Sequence, residues 1–173
     1  MDNRLDGKDF AFKSALKAAL RASPSLQELD LRFNRSLGWA GADAVLGAQA
    51  PLRRLNLLNT YVGADKAREL AALDVETLCG LRAGAAAFIA PNKALDSGDA
   101  ILLAADLRRS ASLATVDISR NQIGDDAADA LAEAVRASPA LASLALSGNT
   151  FSAEAEVKLR DAAASKSGLE LIG

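Results

Sequence analysis

Residues 15–31 read ALKAALRASPSLQELDL, and residues 130–146 read ALAEAVRASPALASLAL. The two stretches lie 115 residues apart and share a Leu/Ala-rich opening, an Arg-Ala-Ser-Pro centre and a Leu-x-x-Leu-x-Leu or closely similar close. Proline lacks a backbone donor and restricts the residue before it, so Pro24 and Pro139 each end a helix. The leucines that follow alternate as a half-buried strand does. A chain that writes the same helix-to-strand junction twice is repeating a unit.

The unit is clearest from Leu113. Leu113, Val116 and Ile118 set an extended run, and Asn121 follows three residues after the last of them. Beyond Ile123 and Gly124, residues Ala127, Ala130, Leu131, Ala134 and Val135 recur at helical spacing. Asp125 and Asp126 suit the helix start, where exposed N–H groups and the helix dipole favour negative charge. The same frame fits Leu26, Leu29, Leu31 and Asn34, then Leu52, Leu55, Leu57 and Asn59, and finally Leu141, Leu144, Leu146 and Asn149. The region between is thinner. Val75 to Leu78 offers a start with no asparagine after it, so the frame is placed on Gly84, Ala87, Ile89 and Asn92. Repeats then begin near residues 26, 52, 84, 113 and 141, after a capping helix over about 8–23 and before a terminal strand at about 169–172.

This pattern resembles the ribonuclease-inhibitor type of leucine-rich repeat, and the resemblance spans about residues 12 to 172. It implies one domain over 1–173: a right-handed α/β solenoid with a parallel sheet on the concave face and helices on the convex face. No unit buries its apolar stripe alone, so stacking makes the core. Strands stack about 4.8 Å apart and helices need about 8–10 Å, which bends the stack into a horseshoe arc. The frame points Leu29/Leu31, Leu55/Leu57, Ala87/Ile89, Val116/Ile118 and Leu144/Leu146 into one shared interior. Asn34, Asn59, Asn92, Asn121 and Asn149 form a structural ladder, their amides satisfying backbone groups of adjacent turns. The Asn34-Arg35-Ser36 sequon falls on that ladder and is discounted as a glycosylation site.

Composition removes most chemistry. The 173 residues contain no histidine and one cysteine, which excludes His-based triads, His-ligated metals and multi-cysteine zinc patterns. Cys79 reads as a packed thiol beside Leu78 and Leu81. No phosphate-binding glycine motif is present, and the acidic pairs at Asp96/Asp99 and Asp125/Asp126 read as helix caps. No enzyme activity, cofactor or metal is expected. A net charge of −2 gives no basic footprint for nucleic acid, and no apolar run is long enough for a membrane span. A lone cysteine and the absence of a signal-like start suit a soluble, cytoplasmic protein.

The resemblance implies a non-enzymatic module that binds another protein. Residues alternating with the inward leucines line the concave face: Glu28, Asp30, Arg32, Arg54, Asn56, Leu58, Phe88 and Asp117. Phe88 and Leu58, rimmed by charge, have the make-up of an interface anchor. Trp39 either marks a contact on the rim or packs over Tyr61. A GTPase activator similar to the Ran GTPase-activating proteins is the alternative, and the sensing arm of a NOD-like receptor a third possibility. The strand Leu169–Ile172 has no evident cover, so the chain is either part of a longer array or self-associates through that edge.

Overall fold

A computed structural model describes residues 9–172. Helices and strands alternate: α1 (Asp9–Arg21), β1 (Glu28–Asp30), α2 (Gly38–Ala48), β2 (Arg54–Asn56), α3 (Ala64–Ala71), β3 (Ala87–Ile89), α4 (Ser97–Arg109), β4 (Thr115–Asp117), α5 (Ala128–Ala137), β5 (Ser143–Ala145), α6 (Ala153–Ala164) and β6 (Glu170–Ile172). All strand pairs are parallel, and each helix carries the chain from one strand to the next. This is an α/β solenoid.

Local chemistry starts the helices where the sequence places them. Asp96 caps α4, accepting from the Asp99 N–H while the Asp99 side chain accepts from the Asp96 N–H, a reciprocal capping box. Ser152 caps α6 in the same sense. Asp125 and Asp126 fall in the single 3₁₀ turn, Asp125–Ala127, that opens into α5. Small residues let the helices approach: Ala100, Ala104, Ala105, Ala127, Ala132 and Ala134 are all buried between Leu102, Leu107, Leu131 and their neighbours.

Two inward columns run along the strands. The register aligns Leu29 with Leu55, and Phe88 with Val116, Leu144 and Leu171. Leu57, Ile118 and Leu146 stand two residues further on, and these columns join the helix leucines in one apolar cluster.

Two expectations fail in the third repeat. The frame that starts at 84 turns Ala87 and Ile89 inward and Phe88 outward. The structure instead pairs Phe88 with Val116 and Ile89 with Asp117, one residue out of that frame. Because strand side chains alternate, a one-residue slip reverses every one of them. Phe88 therefore packs against the core, while Ala87 is exposed and Ile89 is 59% exposed. Repeat length supplies one reason: this register puts 28 residues between β3 and β4, the same step as from β4 to β5. Burying the ring supplies another, since Phe88 carries more apolar area than the Ile89 that the other register would turn inward.

The second failure is continuity. The frame places all five strands in one sheet, but β1 and β2 form a two-stranded sheet and β3 to β6 a separate four-stranded one. Residues 54 and 87, the first of β2 and β3, are 33 apart, against 26 to 28 between other consecutive strand starts. The surplus is the stretch set aside in the sequence. Thr77 and Leu78 accept hydrogen bonds from the Leu55 and Leu57 N–H groups, so residues 77–79 lie along β2 where β3 would have been.

The register yields a direct test. Leu102→Ala should cost about 2–5 kcal/mol, as a buried leucine does. Phe88→Ala should cost more than Ile89→Ala, which should stay near 0.5 kcal/mol as at an exposed site. Urea unfolding midpoints of the three variants measure this, and a larger loss for Ile89→Ala would restore the other register.

Candidate functional site

With Tyr61 (φ 53°) and Ala94 (53°) adding a second in the turns after β2 and β3, each turn after a strand opens on a residue in the left-handed backbone region: Phe33 (φ 62°), Asn59 (58°), Asn92 (54°), Arg120 (55°) and Gly148 (71°). The residue after it holds the ladder. Asn121 donates to the carbonyls of Ile118, Ser119 and, in the preceding repeat, Ala90, while its oxygen accepts from the Lys93 and Leu95 N–H groups. Asn149 repeats this with Ile118, Leu146 and Ile123. Asn34 bonds only within its own turn and is exposed. Asn59 and Asn92 are not ladder residues. They occupy the left-handed position, which asparagine tolerates better than most residues. Thr60, whose hydroxyl donates to the Leu57 carbonyl, and Lys93 stand in the ladder place instead. The amide of Asn59 still crosses between repeats, donating to the Lys93 carbonyl at 2.9 Å.

The break between β2 and β3 is held by a buried carboxylate. Asp106 of α4 is 1% exposed. Its oxygens accept from the Leu78 N–H at 2.7 Å, the Cys79 N–H at 2.9 Å and the Thr77 hydroxyl at 2.6 Å. A regular solenoid would give those N–H groups to the next strand. Here a side chain takes them. Burial raises the Asp106 carboxyl above its ordinary value, against the pull of Thr77 and the two N–H donors. Burial, then the Asp106 and Asp99 charges, push the Cys79 thiol well up, which leaves it unreactive.

Asp99, about two helical turns earlier on α4, accepts from the Asn59 N–H at 2.7 Å and the Asp96 N–H at 3.1 Å. Burial and the Asp96 carboxylate push it up to about 7, with those two donors and the Arg35 charge opposing.

On the outward face, Asp30, Asn56 and Asp117 share a device: each side-chain oxygen accepts from the N–H two residues on, that of Arg32, Leu58 and Ser119 respectively. In the third repeat Ile89 takes that position and has no acceptor. Pro91, two residues on, has no N–H to offer. The pair Ile89/Pro91 was the register signal, readable against Asp30/Arg32 and Asp117/Ser119, and helical-frame counting passed over it.

Among the proposed contact residues, Glu28, Asp30 and Arg32 are exposed, Arg54 and Asp117 are half-buried, and Asn56 is buried. Arg32 pairs with Asp30 at 3.1 Å, and Arg54 lies 3.5 Å from both Glu28 and Glu76 while donating to the Leu81 carbonyl. Leu58 is half-buried against the core. The apolar group that faces water on the third repeat is Ile89, in place of Phe88. Phe33, 68% exposed, joins it from the first turn. Trp39 and Tyr61 are also exposed; Lys13 stands over the Trp39 ring and Arg35 over Tyr61, so neither ring covers the other by itself. Arg32, Phe33, Leu58, Gly80, Arg82 and Phe88 border a groove of about 530 Å³ along the sheet break.

Residues 22–46 and 109–132 match the family model described as leucine-rich repeat. With the strand–turn–helix units seen throughout, these two matches support a leucine-rich-repeat solenoid. No curated protein matches it closely. Among the described residues no helix is long and apolar enough to cross a membrane, and no group of three or more acidic or cysteine side chains is placed to hold a metal ion.

The Asp99 environment predicts a pH signature. The folded protein keeps the Asp99 proton to about pH 7, whereas the unfolded chain releases it near the ordinary value of 3.8. Stability from this group is therefore complete below about pH 4 and is lost as pH rises to about 7. Between pH 5 and pH 8 the wild type should lose roughly 3 kcal/mol relative to Asp99→Asn. Paired urea titrations at the two pH values read the difference, and Asp106, present in both proteins, cancels. Parallel slopes would remove the assignment.

Proposed function

We propose that this chain is a protein-recognition module of the ribonuclease-inhibitor type, contacting its partner through the outward faces of the strands. The reading rests on one observation above others. Phe33 and Ile89 present large apolar side chains to water on the part of the chain whose strand face also carries the charged Asp30, Arg32 and Arg54. Apolar anchors rimmed by charge are the usual composition of a protein contact. The contact set on this reading is Glu28, Asp30, Arg32, Arg54, Leu58 and Asp117 with Ile89 replacing Phe88. Catalysis and a bound cofactor have no part in it. A single buried free thiol suits the reducing cytoplasm.

Affinity capture tests the face. Wild-type bait should retain a protein that Arg32→Glu combined with Ile89→Ser loses, while Val157→Ser, an exposed change on the helix side, retains it. Each bait is first shown to unfold at the wild-type urea midpoint. Equal capture by all three baits would exclude the strand face as the contact.

A further inference from the structure

The break in the sheet gives β3 an edge inside the molecule. The Ala86 carbonyl accepts from the Ala114 and Thr115 N–H groups, and the Ala90 N–H donates to Asp117. Backbone groups alternate sides along a strand, so those of residues 86, 88 and 90 face β4 and those of Ala87 and Ile89 face the other way. On that side no strand pairs with β3 among the described residues. Residues 77–80 turn to β2 and Asp106 instead: the Thr77 and Leu78 carbonyls accept from Leu55 and Leu57, the Gly80 N–H donates to Leu55, and the Leu78 and Cys79 N–H groups donate to Asp106. Ala87 and Ile89 thus carry two N–H and two C=O groups on the side away from β4, and Ala87 lines the groove there. The edge is also uncharged: residues 85–91 carry no ionic side chain. Edge strands are commonly guarded by charge against pairing, and this one is not.

The groove walls say what chemistry fits. Leu58 and Phe88 supply apolar surface, and its volume of about 530 Å³ is in the range of about 300–1,000 Å³ that seats ligands. Arg82 borders it and, among the described residues, makes no ion pair. Phe33 stands at the rim in the left-handed region, a conformation unfavourable for a non-glycine residue, with its ring exposed.

Resting on the reading of the strand face as a protein contact, we infer that the partner inserts an extended segment which pairs with β3 through Ala87 and Ile89. Its side chains alternate: apolar ones meet Leu58 and Phe88, and carboxylates meet Arg82 and Arg32. The gap left by the surplus residues of the third repeat is the docking slot. Strand addition to a sheet edge takes affinity from main-chain bonds and specificity from alternate side chains.

The test selects a phage-displayed library of random octapeptides on the full chain, then measures the leading peptide by fluorescence polarisation. Enrichment of peptides alternating apolar with Asp or Glu is expected. Methylating the alternate amide nitrogens of the leading peptide should weaken it by about tenfold or more, the loss of about two hydrogen bonds. Ile89→Pro, which removes a free edge donor, and Arg82→Glu should each do likewise, with unfolding midpoints confirming that both variants fold. Slower hydrogen exchange at the Ala87 and Ile89 amides on peptide addition is the independent readout. No enrichment, enrichment of basic or patternless sequences, affinity indifferent to amide methylation and Ile89→Pro, or binding by the protein's own Glu170–Ile172 strand as the preferred occupant would each overturn the inference. If capture by the strand face survives while strand pairing fails, the broader reading stands and only the slot is lost.

Discussion

Leu78 and Cys79 carry backbone N–H groups into a part of the molecule that water does not reach, and the Asp106 carboxylate receives both. An unpaired buried donor costs about 1–3 kcal/mol, so without that carboxylate the stretch beside β2 would not hold its place. Everything distinctive about the third repeat follows. Residues 77–79 can leave the regular sheet path because a side chain, rather than a neighbouring strand, completes their hydrogen bonding. β3 then forms its own pairing with β4, one surplus loop later. The two sheets are separate, yet the core is continuous, since Leu57, Leu78, Leu102 and Ile118 all belong to one apolar cluster.

The turns show a second economy of the same kind. A parallel stack leaves carbonyl and N–H groups at each turn facing the adjacent turn, away from water. Asn121 and Asn149 close these gaps with one amide each, donating and accepting at once. Thr60 has only a hydroxyl and satisfies only its own turn. There the link between repeats passes instead through Asn59, one position earlier, and through the Asp99 carboxylate. Two buried aspartates on one face of α4 thus bridge the irregular repeat, one at its strand and one at its turn. Burial raises both carboxyls above their ordinary value, Asp99 to about 7.

The outward face inherits its character from the irregularity. In the first, second and fourth repeats an Asp or Asn fills the middle outward position and ties down its own backbone, while the fifth has Ala145 there. At the break, Ile89 and Pro91 replace that device, Pro91 having no N–H to tie down, and among the described residues the β3 edge away from β4 has no strand partner. A structural accommodation and a binding feature occupy the same few residues, and the Phe33 ring stands above them with an unfavourable backbone conformation and no burial to offset it.

Much of this was legible in the chain. The Leu-x-x-Leu-x-Leu spacing, the Arg-Ala-Ser-Pro junctions at Pro24 and Pro139 and the copied stretch at residues 15 and 130 defined the repeat, because periodic burial leaves a periodic pattern in the residues. The absence of histidine set the chemistry aside. The ladder was readable at Asn121 and Asn149, three residues after Ile118 and Leu146, and misread at Asn59, two after Leu57, and at Asn92, where the count of three from Ile89 belonged to the wrong register. Counting residues locates a unit but does not choose between neighbouring registers when a repeat carries surplus residues. That choice went to Phe88 over Ile89, to the bridge from Leu55 to Thr77, and to Asp106, whose partners lie 27 to 29 residues away in sequence. Bonds between groups so distant in the chain leave no local pattern, which is why the solenoid was written in the sequence and its broken sheet was decided only by the folded structure.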